Sequence, residues 1–202
     1  MKNPNDFWEQ RYSEDDFAYG EFPNQFFQSQ LEKLHPGRLL LPAEGEGRNA
    51  VWAAKQGWEI TAFDKAVAGR EKALQLALKH EVEIDYRISG AMEFSSSRKF
   101  DAIALIYAHF PAVVRPSVHR KLLNFLKPGG KIIFEAFSKE QLQYASGGPK
   151  DEQMLFSEKE IRQEFPELIF EYLAQEEINL AEGKYHQGKG SVIRFIGIYD
   201  QV

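Results

Sequence analysis

The residues with the clearest chemical potential are two glycines and an acid, which follow two successive apolar runs. Residues 38–42 lead into Gly45 and Gly47, and residues 58–63 lead into Asp64. Glycines between a strand and a helix let the backbone approach a ligand closely. An acid at the end of the next strand is placed to accept hydrogen bonds from ribose hydroxyls. The arrangement therefore predicts a nucleoside cofactor.

The glycine spacing is compatible with more than one cofactor. Gly45, Gly47 and Ala50 fit the G-x-G-x-x-G/A pattern of dinucleotide sites. Asp64 follows near the expected distance of roughly 20 residues. On these four residues alone, the chain would be an oxidoreductase linked to nicotinamide adenine dinucleotide (NAD).

The charge of the loop favours a different cofactor. Glu44 and Glu46 lie beside a predicted helix N-terminus, where two carboxylates would repel a bound pyrophosphate. S-adenosylmethionine (SAM) has no phosphate and carries net positive charge, so acidic loop side chains suit it. The other interpretation is that both glutamates point to solvent, as loop acids commonly do. The residues of this loop that we expect to bind SAM are Glu44, Gly45, Glu46, Gly47 and Asn49.

Four segments of the chain resemble class I SAM-dependent methyltransferases. They are EGEGRNA at residues 44–50, ITAFD at 60–64, FDAIALI at 100–106 and LKPGGK at 126–131. Within that family the chain is most similar to the small tellurite-resistance and thiopurine methyltransferase-like branch. The resemblance implies SAM as the cofactor and a Rossmann-like α/β fold. Its sheet would be doubly wound, seven-stranded and mostly parallel, with a C-terminal antiparallel hairpin.

Length and composition narrow the class of protein. A chain of 202 residues fits one domain, 1–202. The net charge of −5 disfavours a nucleic-acid partner, and no apolar run approaches the ~20 residues that span a bilayer. There are no cysteines and the five histidines are scattered, so no metal site is predicted. We expect a cytoplasmic protein with a small-molecule substrate and no membrane partner, and the sequence leaves the oligomeric state open.

Periodicity and turn signals predict alternating helices and strands. Helices are expected at 6–12, 24–34, 48–56, 67–80, 116–126 and 157–165. Strands are expected at 38–42, 58–63, 82–88, 100–106, 131–137, 167–179 and 191–200. The last two runs leave no room for a crossover helix between them, so they should pair antiparallel. In such a sheet, ligands bind beyond the carboxyl ends of the parallel strands, where the strand order reverses.

The residues after the second and third strands are expected to hold the adenosine half of the cofactor. Asp64 is expected to bind the ribose, with helix capping as the alternative. Many members of the resembling family carry an acid after the third strand, where this chain has Ser89. Either Ser89 takes over that contact, or the backbone of Ala91 and Met92 reads the adenine edge.

The residues after the fourth and fifth strands are expected to form the acceptor end. Tyr107 is placed to stabilise the sulfonium, and His109 is the candidate general base, with a structural histidine as the alternative. Glu135 would either pair with Arg194 or line the substrate pocket. The other residues expected in that pocket are Phe137, Glu182, Tyr185 and His186.

The first 35 residues are dense in aromatic side chains, and the resemblance implies that they form a helical lid segment over the cofactor. The lid contacts expected with the cofactor are Tyr12, Tyr19 and Gly20. The aromatic residues expected to pack in the core are Phe7, Trp8 and Phe22. A loop at 144–150, which contains glycine and proline, is expected to form another wall of the pocket.

These observations predict SAM-dependent methyl transfer to a small-molecule acceptor, with a thiol or a tellurium or selenium oxyanion as candidates. Two alternatives remain open at this point. One is an NAD-linked oxidoreductase, and the other is a protein that binds SAM without turnover.

Overall fold

The computed structural model describes residues 4–200. The helices α1 to α6 span Pro4–Tyr12, Gln25–Leu31, Arg48–Lys55, Val67–Lys79, Arg115–Leu123 and Glu158–Glu164. The strands β1 to β7 span Arg38–Pro42, Glu59–Asp64, Asp85–Ile88, Phe100–Ile106, Leu126–Phe137, Leu168–Glu182 and His186–Tyr199. Two short 3-10 helices, Lys139–Gln143 and Glu152–Met154, follow β5.

The strands form one seven-stranded sheet in the order β3-β2-β1-β4-β5-β7-β6. The pairs from β3 to β5 are parallel, and β7 pairs antiparallel with both β5 and β6. The order reverses between β1 and β4, which places the switch point of the doubly wound sheet there. This topology confirms the predicted Rossmann-like sheet with its C-terminal antiparallel hairpin.

The central strands are apolar because both faces of the sheet are covered. On β4, Ile103 belongs to one buried cluster and its neighbour Ala102 to the cluster on the opposite face. On β5, Ile132 and Ile133 divide between the same two clusters. Successive side chains point to opposite faces of a strand, so a continuous apolar run is what a doubly covered strand requires.

Strand boundaries differ from the sequence prediction at β3, which begins at Asp85 instead of residue 82, at β5 and in the hairpin. β5 begins at Leu126 instead of residue 131, because Leu126 already pairs with Phe100 before a register shift restores the regular ladder. The hairpin strands continue to Glu182 and begin again at His186, so only three residues connect them. A capping box begins α6, since the side chains of Ser157 and Glu160 each accept from the other residue's backbone N–H.

None of the helices within residues 4–200 has the length and apolar character that a membrane span requires.

Candidate active site

A cavity of about 360 Å³ opens at the carboxyl ends of β1, β4 and β5, beside the switch point of the sheet. Its lining comes from α1, the glycine-containing loop, the segment after β4, the loop after β5 and the hairpin turn. The lining residues are Phe7, Trp8, Arg11, Tyr12, Tyr19, Ala43, Glu44, Arg48, Asn49, Ile106, Tyr107, His109, Phe137, Gly147, Gly148, Pro149, Met154, Tyr185 and His186.

The glycine-containing loop brings α1 and α4 close to the end of β1. Gly45 has a φ of 63° and Gly47 a φ of 83°. A Cβ on Gly45 would lie 2.6 Å from the Tyr12 hydroxyl oxygen, and a Cβ on Gly47 would lie 2.5 Å from the Ala73 Cβ. Both positions therefore require glycine, because the backbone is left-handed and a neighbouring element occupies the space of a side chain.

Glu44 caps the N-terminus of α3 from the wall of the cavity. Its Oε1 accepts hydrogen bonds from the backbone N–H groups of Asn49 at 2.9 Å and Ala50 at 2.8 Å. Helix N-termini leave such N–H groups without intrahelical partners, so a carboxylate there satisfies two of them. Burial nevertheless raises the pKa of Glu44 to about 7, against the effect of these hydrogen bonds.

Glu46 points away from the cavity, contrary to its expected contact with the cofactor. Its carboxylate lies 2.9 Å from the Lys72 ammonium and accepts the Ala18 N–H at 2.8 Å. The side chain is thereby used to join the N-terminal segment to α4.

Asp64 holds the loops at the ends of β1 and β2. Its two carboxylate oxygens accept the N–H groups of Gly45, at 3.1 Å, and Ala66, at 2.9 Å. Burial raises its pKa despite these hydrogen bonds. Asp64 lies outside the cavity lining, because Tyr12 of α1 covers Gly45 on this side.

The residues after β3 also lie outside the cavity lining. The Ser89 N–H donates to the Asp64 carbonyl at 2.9 Å, and its hydroxyl donates to the Gly90 carbonyl. Ala91 is buried, whereas Met92 is half-exposed. These residues therefore form a surface next to Asp64 that is separate from the open cavity.

Helix α1 closes the cavity from above. Glu9 accepts the N–H groups of Val67 at 2.7 Å and Ala68 at 3.1 Å, which anchors α1 to the N-terminus of α4. The rings of Trp8 and Tyr12 stack with centroids 5.4 Å apart. Tyr12 is buried, but 38% of Trp8 remains exposed. The prediction that Trp8 packs in the core is therefore wrong, and the same holds for Phe7 and Phe22, which are 47% and 86% exposed.

The remaining lid residues divide between two surfaces. Tyr19 lines the cavity, where its ring lies against the imidazole of His186 at a centroid distance of 4.4 Å. Gly20 does not line it, but instead packs against the hairpin turn at Gly183 and faces a separate surface groove. Its left-handed φ of 75° explains the glycine without any cofactor contact.

Tyr107 and His109 stand at the carboxyl end of β4. Tyr107 has a φ of 52°, a strained value for a bulky residue of the kind found at functional sites. Burial, with the Glu135 and Glu182 carboxylates nearby, raises the pKa of the Tyr107 phenol well above its usual range. The Nδ1 of His109 lies 2.7 Å from the Met154 carbonyl, and burial lowers the pKa of this imidazole to about 4.

Glu135 is fully buried beneath the cavity and does not line it. Its carboxylate lies 2.6 Å from the Arg194 Nε and accepts a hydrogen bond of 2.6 Å from the Asn24 side chain. The pairing with Arg194 was one of the two sequence interpretations, and it is the one that the geometry supports. The expected place of Glu135 in the pocket wall requires correction for this reason.

Glu182 is likewise a partner of pocket residues and not part of the wall itself. Its carboxylate lies 3.0 Å from the Arg48 Nη2 and 3.1 Å from the His186 Nδ1. Burial would raise the pKa of Glu182, but the charge of Arg48 and the hydrogen bond from His186 outweigh it and hold the pKa at about 2. Arg48 and His186 themselves line the cavity, together with Phe137 and Tyr185.

Three comparisons relate this chain to known proteins. Residues 42–130 match a family model described as a methyltransferase domain. This segment of the chain is therefore similar to a methyltransferase domain. The matched segment runs from the end of β1 to the start of β5 and includes Glu44, Asp64 and His109. No curated protein sequence matches the chain significantly.

Solved structures with the same fold share little sequence with this chain. The N-methyltransferase NodS from Bradyrhizobium japonicum, in complex with S-adenosyl-L-homocysteine, is 14% identical with a TM-score of 0.74, over 99% of this chain and 100% of NodS. TehB from Haemophilus influenzae is 14% identical with a TM-score of 0.72, over 97% of this chain and 67% of TehB. A protein described with the conversion of a disulfide bond into a thioacetal group in echinomycin biosynthesis is 13% identical, with a TM-score of 0.80 over 98% of this chain and 92% of that protein.

These findings confirm the predicted resemblance to class I SAM-dependent methyltransferases, and with it the predictions of an enzyme and of SAM as its cofactor. The cavity also contains residues that the sequence analysis did not select. Sequence spacing gave no signal for the cavity positions of Arg11 and Met154, because each depends on where α1 and the loop after β5 pack. Arg48 directly follows Gly47, so its proximity to the loop was a usable signal.

Proposed function

We propose that this protein transfers a methyl group from SAM to a small-molecule acceptor bound in the cavity at the switch point of the sheet. When bound, SAM supplies an electrophilic methyl group. The residues of the chain bind the cofactor, orient the acceptor and exclude water, and these contributions dominate in transfers that proceed by direct displacement.

The observation that carries the proposal is the position of Glu44. A dinucleotide would place its pyrophosphate at the N-terminus of α3. The N–H groups of Asn49 and Ala50 already donate to Glu44 there, and this carboxylate would repel a phosphate. The ammonium of SAM suits the same carboxylate, because a pKa of about 7 lets Glu44 ionise readily beside a cation.

Other cavity residues match the remaining groups of SAM. The Arg11 guanidinium lies over the Tyr185 ring at 3.5 Å from the centroid and donates to the Tyr19 hydroxyl at 3.5 Å, but it makes no ion pair with a carboxylate among the residues whose side chains are described. This charge is therefore suited to the carboxylate of the cofactor. The aromatic faces of Trp8 and Tyr107 line the same cavity and suit a sulfonium.

The adenosine half of SAM is assigned to the surface formed by Asp64, Ser89, Ala91 and Met92. Because Tyr12 covers Gly45 beside that surface, α1 acts as a lid that moves when the ribose reaches Asp64. The acceptor end is assigned to Tyr107, His109, Phe137, Tyr185 and His186. We expect Glu46, Gly20, Glu135 and Glu182 to support these residues without touching either ligand.

Calorimetry with SAM, S-adenosylhomocysteine and NAD tests the cofactor assignment directly. We expect micromolar binding of the first two and no heat from NAD, and the opposite pattern would refute the proposal. Formation of S-adenosylhomocysteine with a panel of phenols, thiols, amines and oxyanions then tests turnover. Tight SAM binding without turnover of any acceptor would favour the alternative of a SAM-binding protein that is not an enzyme.

A further inference from the structure

The hairpin turn between β6 and β7 presents an imidazole backed by a carboxylate to the cavity. Glu182 ends β6, His186 begins β7, and the two are partners in the antiparallel ladder. The Nδ1 of His186 lies 3.1 Å from the Oε2 of Glu182. An ionised carboxylate only accepts hydrogen bonds, so Nδ1 carries the proton and Nε2 carries a lone pair. His186 lines the cavity, and its Nε2 has no hydrogen-bond partner among residues 7–200.

The turn and two neighbouring side chains hold this pair in place. Gly183 has a φ of 54°, and a Cβ there would lie 2.5 Å from the Ala18 carbonyl oxygen and from the Gly20 nitrogen. The turn therefore packs directly against the backbone of the N-terminal segment. Glu182 is additionally fixed by the Arg48 guanidinium and by the Asn24 side chain, at 3.0 and 2.9 Å.

The charges around His186 keep it neutral but able to accept a proton. The groups that face it are Glu182 on the hairpin, Arg48 on α3, Glu135 on β5, His109 after β4, Tyr107 at the end of β4 and Tyr19 in the N-terminal segment. Burial lowers the pKa of His186, and the charge of Arg48 adds to this, although the two carboxylates oppose it. At neutral pH the imidazole is therefore unprotonated on Nε2 and can act as a base. When it accepts a proton, the ionised Glu182 that is hydrogen-bonded to Nδ1 stabilises the resulting imidazolium.

His109 lacks this support. Its Nδ1 donates to the Met154 carbonyl at 2.7 Å, and no carboxylate bonds to it within the described side chains. Burial and the neighbouring His186 and Arg115 leave its pKa at about 4. A proton accepted by His109 would create a buried charge without a counter-charge, which is costly. His109 is thus better suited to shaping the acceptor end than to accepting a proton.

We propose that Glu182 and His186 form a general-base pair for methyl transfer to a neutral aromatic hydroxyl. His186 Nε2 takes the proton from the acceptor O–H while the oxygen forms a bond to the methyl carbon. The carbon–sulfur bond breaks, its electron pair stays on sulfur, and the products are the methyl ether and S-adenosylhomocysteine. The proton on His186 then passes to solvent. Glu182 acts through His186 as a positioning residue, and the proposal rests on the proposed function.

The walls around His186 favour an aromatic body for this acceptor. The rings of Tyr107 and Phe137 lie 4.6 and 5.1 Å from the His186 imidazole, centroid to centroid. Gly148 lies flat against Phe137, where a Cβ would approach a ring carbon to 2.7 Å. Glu44 lies in the same cavity wall and, when ionised, would repel an oxyanion such as tellurite. A thiol ionises more readily than a phenol, with reference pKa values of about 8.5 and 10, so it needs a general base less.

Nuclear magnetic resonance of the histidine side chains tests the pair without any turnover. With ¹⁵N labelling, we expect His186 to carry its proton on Nδ1 and to titrate below the 6.5 of an unperturbed histidine. The titration midpoint should fall further in Glu182→Gln, which removes the charge that stabilises the imidazolium. If the proton is on Nε2, or if Glu182→Gln leaves the midpoint unchanged, the general-base pair is refuted.

Kinetics with 4-nitrophenol, 4-chlorophenol, 4-methylphenol, benzenethiol and tellurite test the reaction. In His186→Gln we expect kcat for 4-methylphenol to fall by the ~10²–10⁴-fold typical of general bases. The loss should be smaller for the more acidic 4-nitrophenol, and the acid limb of the pH profile should disappear. His35→Gln, at an exposed histidine, is the control. Since Glu182→Gln also weakens Arg48 contacts, His186→Gln is the decisive variant.

The outcomes separate this proposal from the proposed function. A protein that does not bind SAM in calorimetry refutes both. A protein that binds SAM and methylates tellurite or benzenethiol, but no phenol, refutes the general-base proposal alone. Retention of wild-type kcat and pH profile by a folded His186→Gln protein has the same consequence.

Discussion

Replacing Glu44 with glutamine should stabilise the free protein at alkaline pH and weaken SAM binding. Burial raises the pKa of Glu44 from 4.5 to about 7. Between these values the folded protein holds a proton on this carboxyl that the unfolded chain has lost, so stability falls as the pH rises through this window. A difference of ~2.5 between the two pKa values corresponds to ~3 kcal/mol. Glutamine keeps an oxygen for the N–H groups of Asn49 and Ala50 without this loss.

Thermal denaturation of the free protein at pH 5 and pH 8 measures the effect. For a chain of this size, ~3 kcal/mol corresponds to a shift in Tm of ~6–12 °C. We expect Glu44→Gln to gain up to this amount over wild type at pH 8, and much less at pH 5. Glu83→Gln, at an exposed acid on the surface, should show no such difference. A stability difference between Glu44→Gln and wild type that is the same at both pH values would refute the reasoning.

Calorimetry on the same proteins measures the opposite effect on the cofactor. Removing the charge from Glu44 should weaken SAM binding by ~10- to 100-fold, because hydrogen bonds to charged groups contribute about 1.5–3 kcal/mol. In wild type, the affinity should rise about fivefold from pH 6 to pH 7, since the ionised fraction of Glu44 rises from about a tenth to a half. An unchanged SAM affinity in Glu44→Gln would show that this carboxylate does not contact the cofactor.

Three further predictions concern the framework of the site. Gly47→Ala should destabilise the fold by more than ~2 kcal/mol in urea denaturation, because the new Cβ would clash with Ala73. Gly129→Ala, at a similar φ but with open space around it, should cost only the ~1 kcal/mol of backbone strain. Equal losses in the two variants would show that the clash with Ala73 does not contribute. Arg194→Met removes one partner of the buried Glu135 carboxylate and should lower the free energy of unfolding by ~3–5 kcal/mol. Adding Glu135→Gln to the same protein should recover most of this stability, and no recovery would show that the unpaired Glu135 charge is not the cause. Glu9→Ala should speed amide hydrogen exchange in the first turn of α4, and unchanged exchange there would show that Glu9 does not anchor α1.

Most of the sheet was predictable because its parallel part follows from local patterns. Residues 38–42 and 100–106 were predicted with the bounds that β1 and β4 have, since continuous apolar runs between helical segments define doubly covered strands. The ends of the two hairpin strands were harder to predict. Its far end, near Glu182 and His186, carries polar residues on an edge of the sheet, so the pairing continues where the apolar signal stops.

The lid could be predicted as a segment but not residue by residue. Large aromatic side chains are usually expected to pack in the core, yet Phe22 is exposed and Trp8 borders the cavity. What decides their environment is the anchoring of α1 on α4 by Glu9, a contact that spans 58 residues of sequence. The cavity position of Arg11 depends on the same contact, and no spacing rule could have supplied it.

The polar residues beneath the cavity form a network that could not be predicted from any one residue. Asn24 donates to Glu135 and Glu182 at 2.6 and 2.9 Å, while Arg194 and Arg48 neutralise those two carboxylates. Each of these groups would be costly to bury alone, and the cost is offset only when all the partners are present. The network therefore joins the N-terminal segment, α3, β5 and the hairpin at one place. Because Glu182 belongs to it, the orientation of the adjoining imidazole is a property of the whole fold and not of the hairpin turn alone.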